Sequence, residues 1–275
     1  MSYLWEALKA VVLGIVQGIT EWLPISSSGH MILVNEFLQM AGSETFINTF
    51  FVVIQLGSIL AVVILYFRKL WPFYFRSKTK EERKNTWLLL FKILVACIPV
   101  GVVGVLFEDK VDELFYNPTA IAVALIVYGI AFLIVESLHI RITMKTTDDI
   151  DFLTAANIGL FQVLALIPGT SRSGSTILGG RMLGCDRAAV AEFSFFVAIP
   201  VMAGASLLKL LKCGFAFTMA EWGLMSIGFL VAFVVSIFGI RFFMNYIKKH
   251  DFKLFGVYRI LLGILVIVYF RFLKK

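Results

Sequence analysis

The chain has 275 residues, of which 60% are hydrophobic and 16% charged, and a formal net charge of +7; its mean hydropathy is +0.91. This composition excludes a soluble globular domain and defines a polytopic membrane protein. The basic residues cluster between apolar stretches, as topology signals and anionic-lipid contacts do, so no nucleic-acid partner is expected. Cys97, Cys185 and Cys213 form neither a paired framework nor a C-x-x-C spacing and are expected to be small packing residues. The N-terminus, MSYLWEALKAVVLG, carries an early Glu6 and neither a basic n-region nor a small-residue cleavage site, so it is expected to be retained.

Met1 to Gln39 contains two apolar arms, Tyr3 to Leu23 and His30 to Met40, broken by Pro24 and the run Ser26, Ser27, Ser28. A helix needs about 20 residues to cross the hydrocarbon, and the second arm is too short. A re-entrant hairpin fits better, because non-helical backbone at membrane depth is tolerated where protein buries it or a polar cavity receives it. The same reading applies to Leu153 to Pro168 followed by Gly174 to Gly184. Six other segments are long enough to span: Phe46 to Phe67, Thr86 to Phe107, Pro118 to Leu138, Ala188 to Leu211, Ala220 to Phe242 and Leu254 to Phe272.

Three spans follow each hairpin, so a second copy of the unit would sit inverted relative to the first. The expected architecture is therefore an all-α polytopic membrane protein, six transmembrane helices plus two re-entrant helical hairpins, in one membrane domain covering 1–275. Its repeats would occupy about 1–140 and 150–275. Matching residues support the duplication. Gly14, Gln17 and Gly29 recur 145 residues later as Gly159, Gln162 and Gly174, while Pro24 and Ser27 match Pro168 and Ser171 at 144, which asks for one gap.

The loop Arg68 to Lys84 holds Arg68, Lys69, Arg76, Lys78, Lys80, Arg83 and Lys84, and the connection Arg241 to Lys253 holds Arg241, Lys248, Lys249 and Lys253. Glu108 to Asn117, with Glu108, Asp109, Asp112 and Glu113 against Lys110, falls on the other side. The positive-inside rule makes the first side cytoplasmic and puts both termini outside, with Arg271, Lys274 and Lys275 as contrary signals. The first hairpin then opens outward and the second inward. The basic loop is expected to be a solvated linker, with a turn of helix lying on anionic lipid as the alternative.

Polar residues inside these hairpins are costly unless something functional holds them. Gln17 and Glu21 are four apart and project from one helix face just before Pro24. Glu21 suits a general base or a metal ligand, or else marks a helix end in interfacial water. Ser26, Ser27, Ser28, Gly29 and His30 read as a loop feeding a helix N-terminus, an anion site that favours phosphate. The hydroxyls offer donors, a nucleophile or ordinary caps. His30 is open to phosphate binding, proton transfer or a core hydrogen bond. In the second hairpin, Pro168, Gly169, Thr170, Ser171, Arg172, Ser173, Gly174, Ser175 and Thr176 place an arginine between apolar arms, where its planar fork suits phosphate oxygens or pairs with Glu21. Two opposed helix N-termini, an arginine, an acid and a histidine suit a diphosphate on an apolar tail, either cleaved or carried.

Here the chain resembles the undecaprenyl-diphosphate phosphatases, the bacitracin-resistance family of bacterial inner membranes. An E/Q-x-x-x-E element is matched by Gln17 and Glu21, and an SS-x-GH segment by Ser26, Ser27, Gly29 and His30. P-G-x-S-R-S-x-x-T is matched by Pro168, Gly169, Ser171, Arg172, Ser173 and Thr176. The resemblance implies hydrolysis of undecaprenyl diphosphate to the monophosphate and inorganic phosphate, which recycles the lipid carrier of peptidoglycan synthesis. It also implies a divalent cation, magnesium or calcium. Glu21 is the sole acid beside the hairpin turns, so substrate phosphates and water would complete the metal's coordination.

Glu21, Ser27, His30 and Arg172 are the expected catalytic residues. Ser27 would attack or position water, Glu21 or His30 would take the proton, and Arg172 would neutralise charge on the transferring phosphoryl. Gln17, Ser26, Ser28, Gly29, Thr170, Ser171, Ser173, Gly174 and Thr176 are the expected substrate contacts. Many members of the family carry Glu where this chain has Gln17, which is left with a positioning role. The alternative is a transporter or flippase of the lipid phosphate. Gly14 and Gly18, spaced GxxxG, serve helix packing within one chain or in a homodimer.

Overall fold

Pro24 follows the end of the first helix at Thr20, the serine run opens the second, and the chain turns back on itself between them. In the computed structural model, which describes residues 3–73, 79–115, 117–214 and 216–273, α1 (Tyr3–Thr20) is followed by a turn and then α2 (Ser27–Leu38). α3 (Glu44–Leu65) and the short α4 (Phe67–Leu70) lead to α5 (Lys80–Phe115) and α6 (Pro118–Ser137). The second hairpin is α7 (Phe152–Val163), a 3-10 turn (Leu164–Leu166) and α8 (Arg172–Met182). α9 (Arg187–Cys213), α10 (Met219–Ile247) and α11 (Lys253–Val268), which runs into a π turn at Tyr269–Leu273, complete the chain. Among the described residues the only extended pairing is an isolated bridge between Met144 and Cys185.

The helices begin where the sequence supplies acceptors for their free N–H groups. Ser43, Asn117, Asp151 and Asp186 cap α3, α6, α7 and α9, and Thr218 with Glu221 forms a capping box on α10. The two hairpin turns are built alike. Ser26 caps α2 at φ 73° and Ser171 caps α8 at φ 76°, each side chain accepting from the backbone N–H three residues on, Gly29 and Gly174. A serine in the left-handed region is strained, and the same strain appears at both turns. This geometry pairs Ser26 with Ser171, not Ser27 with Ser171. The 145-residue offset therefore holds through both caps, and the Pro24 and Pro168 match that asked for a gap is out of register.

α1 packs along α10, α3 between α9 and α10, α6 on α11, and α5 on α7. Gly14 and Gly18 allow the first of these. A Cβ on Gly14 would lie 2.8 Å from the Gly228 carbonyl, and one on Gly18 would lie 2.9 Å from that of Ala232. The GxxxG face is thus used within the chain. At the junction of the hairpins Trp22, Phe193, Phe195, Phe196, Phe243 and Phe252 form a fully buried aromatic core. The arms of each hairpin are tied at their open ends. Lys9 donates to the Gln39 carbonyl at 2.9 Å and Glu6 accepts from Ala41 N at 2.9 Å, while Ile158 meets Gly180.

Three boundaries differ from expectation. The acidic stretch Glu108 to Asn117 is not a loop: α5 continues to Phe115, because no Gly or Pro interrupts it before Pro118. The basic loop likewise holds more than the single turn of helix allowed for it, in α4 and the first turns of α5, and Arg241 lies within α10. Arg76 and Lys78, like Lys274 and Lys275, lie outside the described residues, as do the side chains of Glu108, Asp109, Asp112 and Cys213. Finally, among the described residues seven helices are long and apolar enough to cross a membrane, α1 joining the six expected spans. Cys97 and Cys185 are both unpaired by disulfides, and Cys185 is buried against Met144.

The second hairpin is anchored by Glu136 at the end of α6. Its fully buried carboxylate accepts from Arg181 Nε at 3.0 Å and Arg187 Nε at 2.8 Å. Glu136→Ala strands Arg181 without its acid, and a loss of about 3–5 kcal/mol is expected for breaking such a buried pair. Thermal melting in detergent checks this. A melting temperature equal to wild type would mean that the anchor contributes nothing.

Candidate active site

The last turn of α1 and the residue that follows it place Gln17 and Glu21 at the break, and the cap at Ser26 starts α2 so that Ser27 is its first residue. Glu21 is 5% exposed and Gln17 fully buried. Ser27 Oγ donates to Glu21 Oε2 at 2.7 Å, and Gln17 Nε2 donates to the same oxygen at 2.9 Å. The other carboxylate oxygen, Oε1, accepts from Arg172 Nη2 of the second hairpin at 3.0 Å. Arg172 Nη1 donates to the carbonyl and the hydroxyl of Ser194 on α9, at 2.8 and 3.1 Å, and its guanidinium lies 5.7 Å from the Trp22 ring. The fork of Arg172 is thereby fixed between α9 and Glu21, which no single-donor cation could do.

The turns are stitched at further points. Ser173 Oγ donates to the carbonyls of Glu21 and Leu23, at 3.3 and 3.2 Å, and also meets Ser171 Oγ at 3.2 Å. Thr176 Oγ1 bonds Ser194 Oγ at 2.7 Å and the carbonyl of Arg172 at 2.9 Å, holding the first turn of α8 against α9. Thr170 is buried, and Gly29 and Gly174 bring backbone N–H groups close under their caps. Ser27 and Ser28 occupy the first turn of α2, where backbone N–H groups have no acceptor within the helix. Ser28 is exposed and faces a cavity of about 540 Å³ shared with Glu44, Asn48, Gln55, Glu113 and Lys209.

His30 stands apart from this cluster. Its Nδ1 bonds the Ser26 carbonyl and its Nε2 bonds the Tyr258 hydroxyl, both at 2.7 Å, and the two rings stack at 5.7 Å. Because a carbonyl only accepts, Nδ1 carries the proton and Nε2 accepts from Tyr258 in the neutral ring. Of the two bases considered for Ser27, Glu21 is the one in contact.

Sequence reasoning missed Ser194, Tyr258 and Arg259. Ser194 and Tyr258 left no signal in helices as apolar as α9 and α11. Arg259 did: it is a fully buried charge in an apolar span. Its Nη1 donates to the Pro24 carbonyl at 3.0 Å and its Nη2 to those of Gly169 and Thr170 at 2.8 Å, so one side chain touches both turns.

No group of three or more His, Cys, Asp and Glu residues capable of holding a metal occurs among the described residues. The oxygens at hand are the Glu21 carboxylate and Gln17 Oε1, a buried acceptor without a hydrogen-bond partner. Such a set suits a hard cation that takes most of its ligands from phosphate and water.

Fold and site together define a multi-pass membrane protein in which two helical hairpins bring a buried acid, a hydroxyl and a guanidinium together. A family model described as "Bacitracin resistance protein BacA" matches residues 10–265, and the chain belongs to that family. Undecaprenyl-diphosphatase 1 of Clostridioides difficile strain 630 is 60% identical over 267 residues, 97% of each chain. The undecaprenyl-diphosphatase of Acetivibrio thermocellus is 56% identical over 267 residues, 96% of this chain and 98% of that one. That of Enterococcus faecalis is 54% identical over 266 residues, 96% of each.

Proposed function

We propose that this protein is a membrane hydrolase that converts undecaprenyl diphosphate to undecaprenyl phosphate and inorganic phosphate, returning the lipid carrier to cell-wall synthesis and conferring bacitracin resistance. Full-length similarity to undecaprenyl-diphosphatases supports the substrate. The observation that carries the chemistry is the pair of contacts on Glu21: a serine hydroxyl donating to one oxygen and an arginine to the other. In the proposed step, Ser27 Oγ bonds to the terminal phosphorus as its proton passes to Glu21 Oε2. The bridging P–O bond breaks, undecaprenyl phosphate departs, and water then releases phosphate from the serine. A water positioned by Ser27 is the variant without the covalent stage. Arg172 and the N–H groups at the start of α2 bind the transferring phosphoryl oxygens, and Gln17 holds Glu21 in place. Glu21 and Gln17 would hold a magnesium or calcium ion, which when bound offsets the charge of the diphosphate.

The same reading makes both hairpins re-entrant in the bacterial inner membrane, with inverted repeats at about 1–140 and 150–275. It is supported by the matched Ser26 and Ser171 caps and by α1, whose Gly18 reaches Gly239 of an α10 that continues to Ile247. The Ser28 cavity adjoins Glu44, Glu113 and Lys209, at the ends of α3, α5 and α9 remote from Lys80 and Arg187. That supports a first hairpin open to the outside and termini on that side.

The test is phosphate release from undecaprenyl diphosphate by purified protein in detergent, with and without EDTA. Cation-dependent release is expected. No release from folded protein supplied with magnesium or calcium would overturn the assignment.

A further inference from the structure

Arg259 has a charge that the chemistry above does not use. It sits in α11 among Ile, Leu and Val, with no exposure to solvent. A guanidinium at such depth ordinarily meets a carboxylate, because an unbalanced buried charge is strongly unfavourable. Arg172 has Glu21. Arg259 has no acidic partner among the described residues; it meets three carbonyl oxygens and the Tyr128 ring, whose centroid is 5.5 Å away. Its Nε is buried without a hydrogen-bond partner.

The three carbonyls are informative by position. Pro24 lies two residues before the Ser26 cap, and Gly169 and Thr170 lie just before the Ser171 cap. Two turns that bring their carbonyl oxygens together repel one another unless a donor lies between them, and a planar fork can serve both at once. The guanidinium also presses on the first turn of α8, since a Cβ on Gly174 would lie 3.0 Å from Nη1. One buried positive charge without an acid therefore lies between two helix N-termini, themselves positive ends of dipoles. The missing complement is an anion.

We propose that Arg259 is the positioning residue of the site: it fixes the two turns against each other, and its unbalanced charge is the one that the phosphates of the substrate neutralise. This rests on the phosphatase reading. The two parts of the role separate by substitution. Arg259→Lys keeps the charge but cannot fork across both turns; Arg259→Met keeps neither.

The experiment compares wild type, Arg259→Lys and Arg259→Met, full length in detergent, for kcat and KM on undecaprenyl diphosphate. Orthovanadate binding is followed separately by the shift in melting temperature, which needs no turnover. In Arg259→Lys, kcat is expected to fall about 100-fold, the scale of a misplacement near 1 Å, with vanadate affinity close to wild type. In Arg259→Met, vanadate affinity is expected to fall about tenfold or more as well. Variants that melt earlier yet keep kcat and vanadate affinity per folded molecule would reduce Arg259 to a structural staple and overturn the proposal. The lysine variant decides the kcat part should the methionine variant fail to fold. Wild type that binds vanadate but releases no phosphate would refute the phosphatase reading instead.

Discussion

Arg172→Ala is expected to lower kcat/KM for undecaprenyl diphosphate by about 10³-fold or more, the range over which an arginine contributes to phosphoryl transfer. Two effects combine. In the resting protein Arg172 holds Glu21 Oε1 at 3.0 Å and is itself held by Ser194; without it the carboxylate is buried and unpaired, and stability falls by about 3–5 kcal/mol. In the proposed turnover the same fork would bind the phosphoryl oxygens, where charge accumulates. Arg172→Lys separates them. An ammonium can still face Glu21, so melting should recover most of its loss. It cannot also span to the Ser194 carbonyl and hydroxyl, so turnover should recover much less. Because Arg172 and Glu21 touch, their losses should not add in a double-mutant cycle with Glu21→Gln. Phosphate release and melting on wild type, Arg172→Ala, Arg172→Lys, Glu21→Gln and the double variant measure both terms. Unchanged turnover in Arg172→Ala would remove the phosphate clamp.

Much of this was legible in the sequence, for definite reasons. Glu21 and Arg172 are opposite charges inside stretches too apolar to carry them singly, so a pairing across the hairpins is one of the two roles open to Arg172, beside phosphate binding, and the fold contains that pair. The six expected spans all coincide with helices, since long apolar runs admit little else. The acidic segment before Asn117 departs from expectation because its charge reads as loop, whereas Glu, Lys and Leu favour helix and nothing there stops one. At the turn Pro24 and Pro168 match at 144, whereas the caps that are built alike, Ser26 and Ser171, lie 145 apart. Arg259 was overlooked although the argument applied to Arg172 holds for it equally. A single arginine near the start of the last span reads as an interfacial charge until the tertiary contacts of α11 with both turns are known.

The second large effect concerns the proton on Ser27. Glu21→Gln preserves shape, and its amide can still meet Arg172 or Gln17 in one orientation, but it cannot accept a proton. A fall in kcat of about 10²–10⁴ is expected, the range for losing a positioned general base, with a much smaller change in KM. The reason for choosing Glu21 over His30 is geometric. Ser27 Oγ already donates to Glu21 Oε2 at 2.7 Å, while both nitrogens of His30 are engaged by Ser26 and Tyr258. His30→Gln should therefore cost far less than Glu21→Gln, and a larger loss at His30 would reverse the assignment. Ser27→Ala then distinguishes the covalent path from direct water attack. If Ser27 is the nucleophile, its removal eliminates turnover, and acid quenching of wild type during turnover of substrate labelled in the terminal phosphate leaves label on Ser27. If Ser27 only orients water, the alanine variant retains measurable turnover and no label is trapped. Both paths require Glu21, so a protein that lost activity at Ser27 but kept it at Glu21 would fit neither and would move the base elsewhere in the site.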